Sequence, residues 1–236
     1  MTCSPREIAK MIDHSLLRPE LTREDVIEGC RVAKKYETAT VCCIPTDVGL
    51  CRRELEGSSV KVSAVVAFPH GNSTTATKVF EAERAIADGA HELDMVLHIG
   101  RLIGGDLDYV RADVRAVVEV AHKHGVLVKV ILENCYLTDD QKRTACRLCE
   151  EAGADWVKTS TGFAKGGATL EDLALMRAAV STRVQLKAAG GVRDLDMALK
   201  VRAAGCSRFG ATATEKIVEE AYRRAAEGGD QPRHSS

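Results

Sequence analysis

Two apolar rhythms alternate along this chain. Unbroken apolar runs occupy residues 39–44, 61–67, 92–97, 126–132, 155–159, 183–188 and 207–211, with a shorter one at 12–14. Runs of this kind predict strands of a parallel sheet whose outer face is covered. Between them, apolar residues recur at helical spacing over 22–36, 46–56, 73–88, 105–124, 138–152, 169–180, 193–204 and 214–227. In 105–124 the stripe runs through Leu107, Val110, Val114, Val117, Val118 and Ala121, and Asp106 or Asp108 can cap its start. The junctions repeat: AIADGAHELDM (85–95), CEEAGADWVKT (149–159) and VRAAGCSRFGA (201–211) each end a helix, pass a glycine and begin a strand. Looser copies surround Gly57 and Gly125; with Gly89, Gly153 and Gly205 these glycines stand where a helix end needs a left-handed residue.

Eight strands alternating with eight helices predict a closed (β/α)8, or TIM, barrel. The expected organisation is one domain over 1–227, with a short N-terminal lead-in and a frayed tail over 228–236. An open doubly wound sheet is the alternative; the absence of a G-x-G-x-x-G fingerprint counts against it.

Composition narrows the function. The 33 Lys+Arg and 34 Asp+Glu leave a net charge of −1, and the aromatic fraction is 4%. Neither a basic stripe nor a stacking platform is available for nucleic acid. The longest clean apolar run, 62–68, is far too short to cross a bilayer, and MTCSPREIAKMIDH lacks a signal-peptide core. A cytoplasmic protein is expected. The nine cysteines, an odd number, are expected as free thiols. Cys146 and Cys149 form a lone C-x-x-C inside a helix and are expected to pack rather than bind metal. No metal or cofactor is expected.

In such a barrel, functional residues cluster at the C-terminal strand ends. Lys158 and Lys187 end adjacent apolar strands. One buried lysine is ordinarily matched by a carboxylate or snorkels to the rim. Two side by side point to function, because neighbouring strands lie about 4.8 Å apart and like charges lower each other's pKa. Bringing a lysine from its free value of about 10.4 to about 7 requires roughly 4–5 kcal/mol, and gives an amine able to attack a carbonyl. Asp94, acidic in an apolar strand, reads as a salt-bridge partner of Lys129, as a proton shuttle, or as both. Lys129, mid-strand, is ranked as a network member.

The loops after the seventh and eighth strands often hold phosphate. Here they read AGGVRD, offering Gly190, Gly191 and Arg193, and GATATE, offering Gly210, Thr212 and Thr214. Gly166 and Gly167 suit a flap, and His70 and His98 follow strands at the mouth.

At these residues the chain resembles the deoxyribose-phosphate aldolases of the short bacterial and archaeal type. The resemblance rests on IDHSLL (12–17), the FEA…AIADGA run (80–90), ELDMVLHIG (92–100), VKVILENCYLTD (128–139), VKTSTGF (157–163), GGATLEDLALMR (166–177) and LKAAGGVR (186–193), and runs from about residue 12 to 218. It implies a class I aldolase that reversibly cleaves 2-deoxy-D-ribose 5-phosphate to D-glyceraldehyde 3-phosphate and acetaldehyde without a metal. Lys158 falls at the Schiff-base lysine, Lys187 at the lysine that depresses it, and Asp94 at the acidic member of the proton relay. Asp13 and Thr159 join Lys129 as supporting residues, and Gly162 joins the phosphate contacts. The family's habit is a homo-oligomer, a dimer or tetramer. The chain departs from the pattern at GATAT, where Ala213 replaces one of two usual serines and Thr212 keeps one hydroxyl. It departs also at Ser15, Ile44, His98 and Asn134, sites expected at the barrel mouth. The competing readings are an aldolase with a drifted or non-phosphorylated substrate, a phosphate-binding isomerase using Asp94 as base, and a barrel kept only for binding.

Overall fold

The computed structural model describes residues 3–229. Eight parallel strands close into one barrel in sequence order, and the first pairs with the last. They are β1 (Ile12–Leu16), β2 (Thr40–Cys43), β3 (Lys61–Val66), β4 (Glu92–Val96), β5 (Leu127–Ile131), β6 (Trp156–Lys158), β7 (Gln185–Ala188) and β8 (Cys206–Ala211). Ten α-helices surround them: α1 (Pro5–Ala9), α2 (Arg23–Tyr36), α3 (Val48–Glu54), α4 (Thr75–Ala87), α5 (Ile99–Ile103), α6 (Leu107–Lys123), α7 (Asp139–Glu151), α8 (Leu170–Ala179), α9 (Leu195–Ala203) and α10 (Thr214–Gly229).

Every strand and helix expected from the periodicity is present, most a residue or two shorter than expected. The five junction glycines, Gly57, Gly89, Gly125, Gly153 and Gly205, all have positive φ. Polar caps set the other helix ends: Thr22 with Asp25 and Thr138 with Gln141 form reciprocal capping boxes, and Thr169 and Asp194 accept from the first turns of α8 and α9. Two helices are additions. α1, capped by Ser4 and Glu7, lies in the lead-in and packs on α10. α5 follows His98, whose ring accepts from the Arg101 amide. At five residues each they are too short to show a helical stripe in sequence. α10 continues to Gly229, past the expected boundary at 227; residues 230–236, where a frayed tail is expected, lie outside the described residues.

The main core is the shell between barrel and helices. Outward residues such as Leu93, Met95, Val128, Val130, Leu186 and Phe209 are fully buried there. Cys146 and Cys149 pack in this layer, as expected. The alternate residues of each strand face the barrel axis, and in the lower interior these are charged rather than apolar.

Candidate active site

Strand register builds the site. Lys158 of β6 pairs directly with Lys187 of β7, and Asp94 of β4 with Lys129 of β5. Both lysines of the expected pair therefore point into the barrel at one height. Their ammonium groups meet at a single atom: Asp94 Oδ2 accepts from Lys158 Nζ at 2.6 Å and from Lys187 Nζ at 2.7 Å. The other oxygen, Oδ1, accepts from Lys129 Nζ and from Ser63 Oγ, each at 2.9 Å. Asp94 thus occupies the centre of the cluster and bridges all three lysines.

A second tier lies beneath. Asp13 of β1 accepts from Lys187, from Arg208 at 2.6 Å and from Thr40 at 2.8 Å. Glu92 of β4 forms an ion pair with Lys129 at 2.5 Å and accepts from Arg208 at 2.8 Å. All these groups are buried; the Arg208 side chain is the most exposed, at 14%. The strand readings singled out neither Glu92 nor Arg208. The signal that marks Lys158, a charge in an apolar strand, is present at both.

The cluster holds four cations (Lys129, Lys158, Lys187, Arg208) against three carboxylates (Asp13, Glu92, Asp94). Burial penalises every one of these charges. For Asp94 the three lysines outweigh burial and hold its carboxyl well below the ordinary range. Burial opposes the Lys187 charge, yet Asp13 and Asp94 together raise its pKa. Lys158 is the exception. Burial pulls its ammonium down, Asp94 resists alone among the carboxylates, and Lys187 pushes in the same direction as burial. Lys158 is therefore the lysine that most readily becomes a free amine.

Above the charges, the wall beside Lys158 is apolar. Leu17, Cys42 and Val65 form a small buried cluster apart from the main core, joined by Ile44 and Phe68. Burial pushes the Cys42 thiol up to about 11, so it is neutral there. A buried lysine that readily gives up its proton, a shared carboxylate and a second lysine beside it can form an imine with an aldehyde and move protons around it.

The model of the DeoC/LacD family of aldolases matches residues 8–217. The chain belongs to this family. A deoxyribose-phosphate aldolase of Rhodopirellula baltica is 49% identical over 218 residues, covering 92% of this chain and 90% of its own. One from Bacillus cytotoxicus is 53% identical over 211 residues, 89% of this chain and 94% of its own. The tetrameric deoxyribose phosphate aldolase structure from Aeropyrum pernix superposes with a TM-score of 0.83 at 31% identity, covering 92% of each chain.

The remaining expected residues of this DeoC/LacD aldolase lie at the strand-end rim or just inside it. Thr159 Oγ accepts from the Ala189 amide at 3.1 Å and donates to the Ala189 carbonyl at 3.2 Å, clasping the ends of β6 and β7. Gly162 lies in the loop after β6, with φ of +89°. Gly190 and Gly191 follow β7, and a Cβ on Gly167 would meet the Gly190 carbonyl at 2.5 Å. Both residues must therefore be small for the two loops to touch. Arg193 and Thr212 are exposed beyond β7 and β8. Gly210 lies within β8 rather than in the loop, where an added Cβ would stand 3.9 Å from the Lys187 side chain. Thr214 is buried, its hydroxyl 2.8 Å from His14 Nδ1, so it does not replace the hydroxyl absent at Ala213.

The departures expected at the mouth divide. Ile44 lies in the apolar wall; His70, which is not a departure but was expected near the mouth, lines a rim hollow of about 340 Å3 with Thr161 and Phe163. Asn134 does not face the mouth: it is buried, and its amide donates to Asp172 of α8 at 3.1 Å. Its preceding residue, Glu133, is held at φ +55° and accepts from the Thr161 amide, bracing the loop that follows Lys158. Glu133 was not singled out by the strand pattern, because it lies two residues beyond the end of β5.

Proposed function

We propose that this enzyme is a class I aldolase that reversibly cleaves 2-deoxy-D-ribose 5-phosphate to D-glyceraldehyde 3-phosphate and acetaldehyde. The observation that carries the mechanism is the sharing of one Asp94 oxygen by two buried lysines. The substrate follows the names of the relatives, about half identical over nine-tenths of the chain.

The free amine of Lys158 attacks the C1 carbonyl carbon of the open-chain sugar. Loss of water gives an iminium, which draws electrons from the C2–C3 bond as the C3 hydroxyl gives up its proton. Glyceraldehyde 3-phosphate leaves, and the remaining enamine is protonated at C2. Hydrolysis then releases acetaldehyde and restores the amine. Asp94 and Lys187, one accepting and one donating, supply the proton transfers. Gly162, Gly190, Gly191, Arg193 and Thr212 are assigned to the phosphate, with Gly210 below them at the floor. Binding the phosphate far from the reacting bond spends its interaction energy on orientation. Asp13, Lys129 and Thr159 hold the reacting groups in place. Among the described residues no helix is long and apolar enough to cross a membrane, and the enzyme is assigned to the cytoplasm. A homo-oligomer is assigned from the tetrameric relative of Aeropyrum pernix.

Borohydride reduction in the presence of acetaldehyde tests the reading. Intact mass should show one ethyl group on Lys158, absent in Lys158→Ala; an unmodified wild type would refute the Schiff base. Cleavage of deoxyribose 5-phosphate should exceed that of deoxyribose, and equal rates would remove the phosphate assignment.

A further inference from the structure

Arg208 enters the barrel through an irregularity of the last strand. Leu186 of β7 pairs with Cys206 of β8, but the next residue, Lys187, pairs with Arg208. Ser207 is therefore an extra residue, and it inverts the facing of those that follow. Its hydroxyl accepts from the Trp156 indole at 2.8 Å, which fixes it in place. Without this insertion Arg208 would face the helices. With it, the guanidinium lies 5.6 Å from the Trp156 ring and donates to both Asp13 and Glu92.

We propose that Arg208 is a positioning residue that keeps Lys158 in its free-amine form by occupying two of the three carboxylates in the barrel. The inference rests on the Schiff-base reading above and adds to it the origin of the reactive amine. The argument is one of charge balance. Arginine cannot release its proton, so a set of four cations and three carboxylates carries one positive charge too many until a lysine gives up its own. Lys129 is surrounded by Glu92 at 2.5 Å, Asp94 at 2.9 Å and Asp13 at 3.6 Å. Lys187 lies between Asp13 and Asp94. Lys158 reaches one carboxylate oxygen, already bonded to Lys187; the other titratable group facing it is the neutral thiol of Cys42 on β2. The excess therefore falls on Lys158. Removing the Arg208 charge balances the set and lets Lys158 stay protonated.

The rate of acetaldehyde trapping by borohydride, followed against pH, measures this directly. Arg208 is two strands from Lys158, about 10 Å, so Arg208→Gln should move the midpoint of the profile up by about one pH unit. Arg208→Lys, which keeps the charge, should hold the wild-type midpoint. Glu92→Gln combined with Arg208→Gln restores the single excess positive charge and should return the midpoint toward wild type. A merely structural lesion would lower the rate at every pH and would worsen in the double variant. An unmoved midpoint in Arg208→Gln, or a double variant that stays displaced, overturns the proposal. If Arg208→Gln does not fold, Glu92→Gln alone must move the midpoint to lower pH, and any other result overturns it. Absence of an adduct in the wild type would remove the Schiff-base reading and this inference together. An adduct with an immobile midpoint removes the inference alone.

Discussion

Replacing Asp113 by alanine strands a lysine in the protein interior. Lys78 of α4 and Asp113 of α6 form an ion pair at 2.6 Å, both side chains fully buried. Lys78 also donates to the Val96 carbonyl at 3.0 Å, and Asp113 accepts from the Thr75 hydroxyl at 2.8 Å. The pair thus ties two helices to the end of β4, two residues beyond Asp94. Breaking a buried pair from one side costs about 3–5 kcal/mol, so Asp113→Ala should lose that much at pH 7 in urea unfolding. The loss should depend on pH in a definite direction. Burial already lowers the Lys78 pKa with Asp113 beside it. Without Asp113 the folded state holds the neutral amine, while the unfolded chain keeps its proton up to about pH 10.4. The unfolded state then binds more protons, so the stability of the variant rises with pH by up to about 1.4 kcal/mol per unit. The gap to wild type should narrow by as much as about 2.7 kcal/mol between pH 7 and 9. Lys78→Met combined with Asp113→Leu should recover most of the loss. A deficit below about 1 kcal/mol at pH 7, or a gap that stays constant with pH, would refute the reasoning.

Other outcomes follow from the same physics. Lys187 and Lys158 bond to one oxygen at 2.7 and 2.6 Å, so their nitrogens lie within about 5.3 Å of each other. That proximity is worth about 3 kcal/mol at an effective dielectric of about 20, so Lys187→Leu should raise the midpoint of imine trapping by about two pH units. An unchanged midpoint would leave burial alone as the cause. Burial lowers the His14 pKa to about 4. Its contribution is fully present above the unfolded value near 6.5, and about 3 kcal/mol should be lost as the pH falls to 4. Comparing the acid limb of stability with that of His14→Asn checks this. Thr159→Val leaves the Ala189 amide without its partner and should cost about 1–3 kcal/mol, read by thermal unfolding.

The barrel was legible because its signals are local. A continuous apolar run, a glycine and an amphipathic stripe each report on a dozen residues, and they repeat around the ring. Lys158 and Lys187 were legible for the same reason: each interrupts an apolar strand, and strand order places them side by side. Arg208 interrupts a strand too, yet its inward facing depends on the extra Ser207, which alternation along β8 does not reveal. Lys78 and Asp113 lie on amphipathic helices, where a charge ordinarily reads as solvated; only the approach of α4 to α6 and the end of β4 shows otherwise. Asn134 and Thr214 likewise turn toward α8 and His14, orientations that a strand-end position leaves open.

The apolar wall of Leu17, Cys42, Ile44, Val65 and Phe68 bears on which sugars the enzyme accepts. It offers no strong hydrogen-bonding partner, so a hydroxyl brought against it surrenders its water and receives little in return. Such a loss is worth about 1–3 kcal/mol, roughly ten- to a hundredfold in turnover. A sugar that brings an extra hydroxyl against this wall, ribose 5-phosphate being the obvious case to assay, is expected to turn over more slowly by that factor.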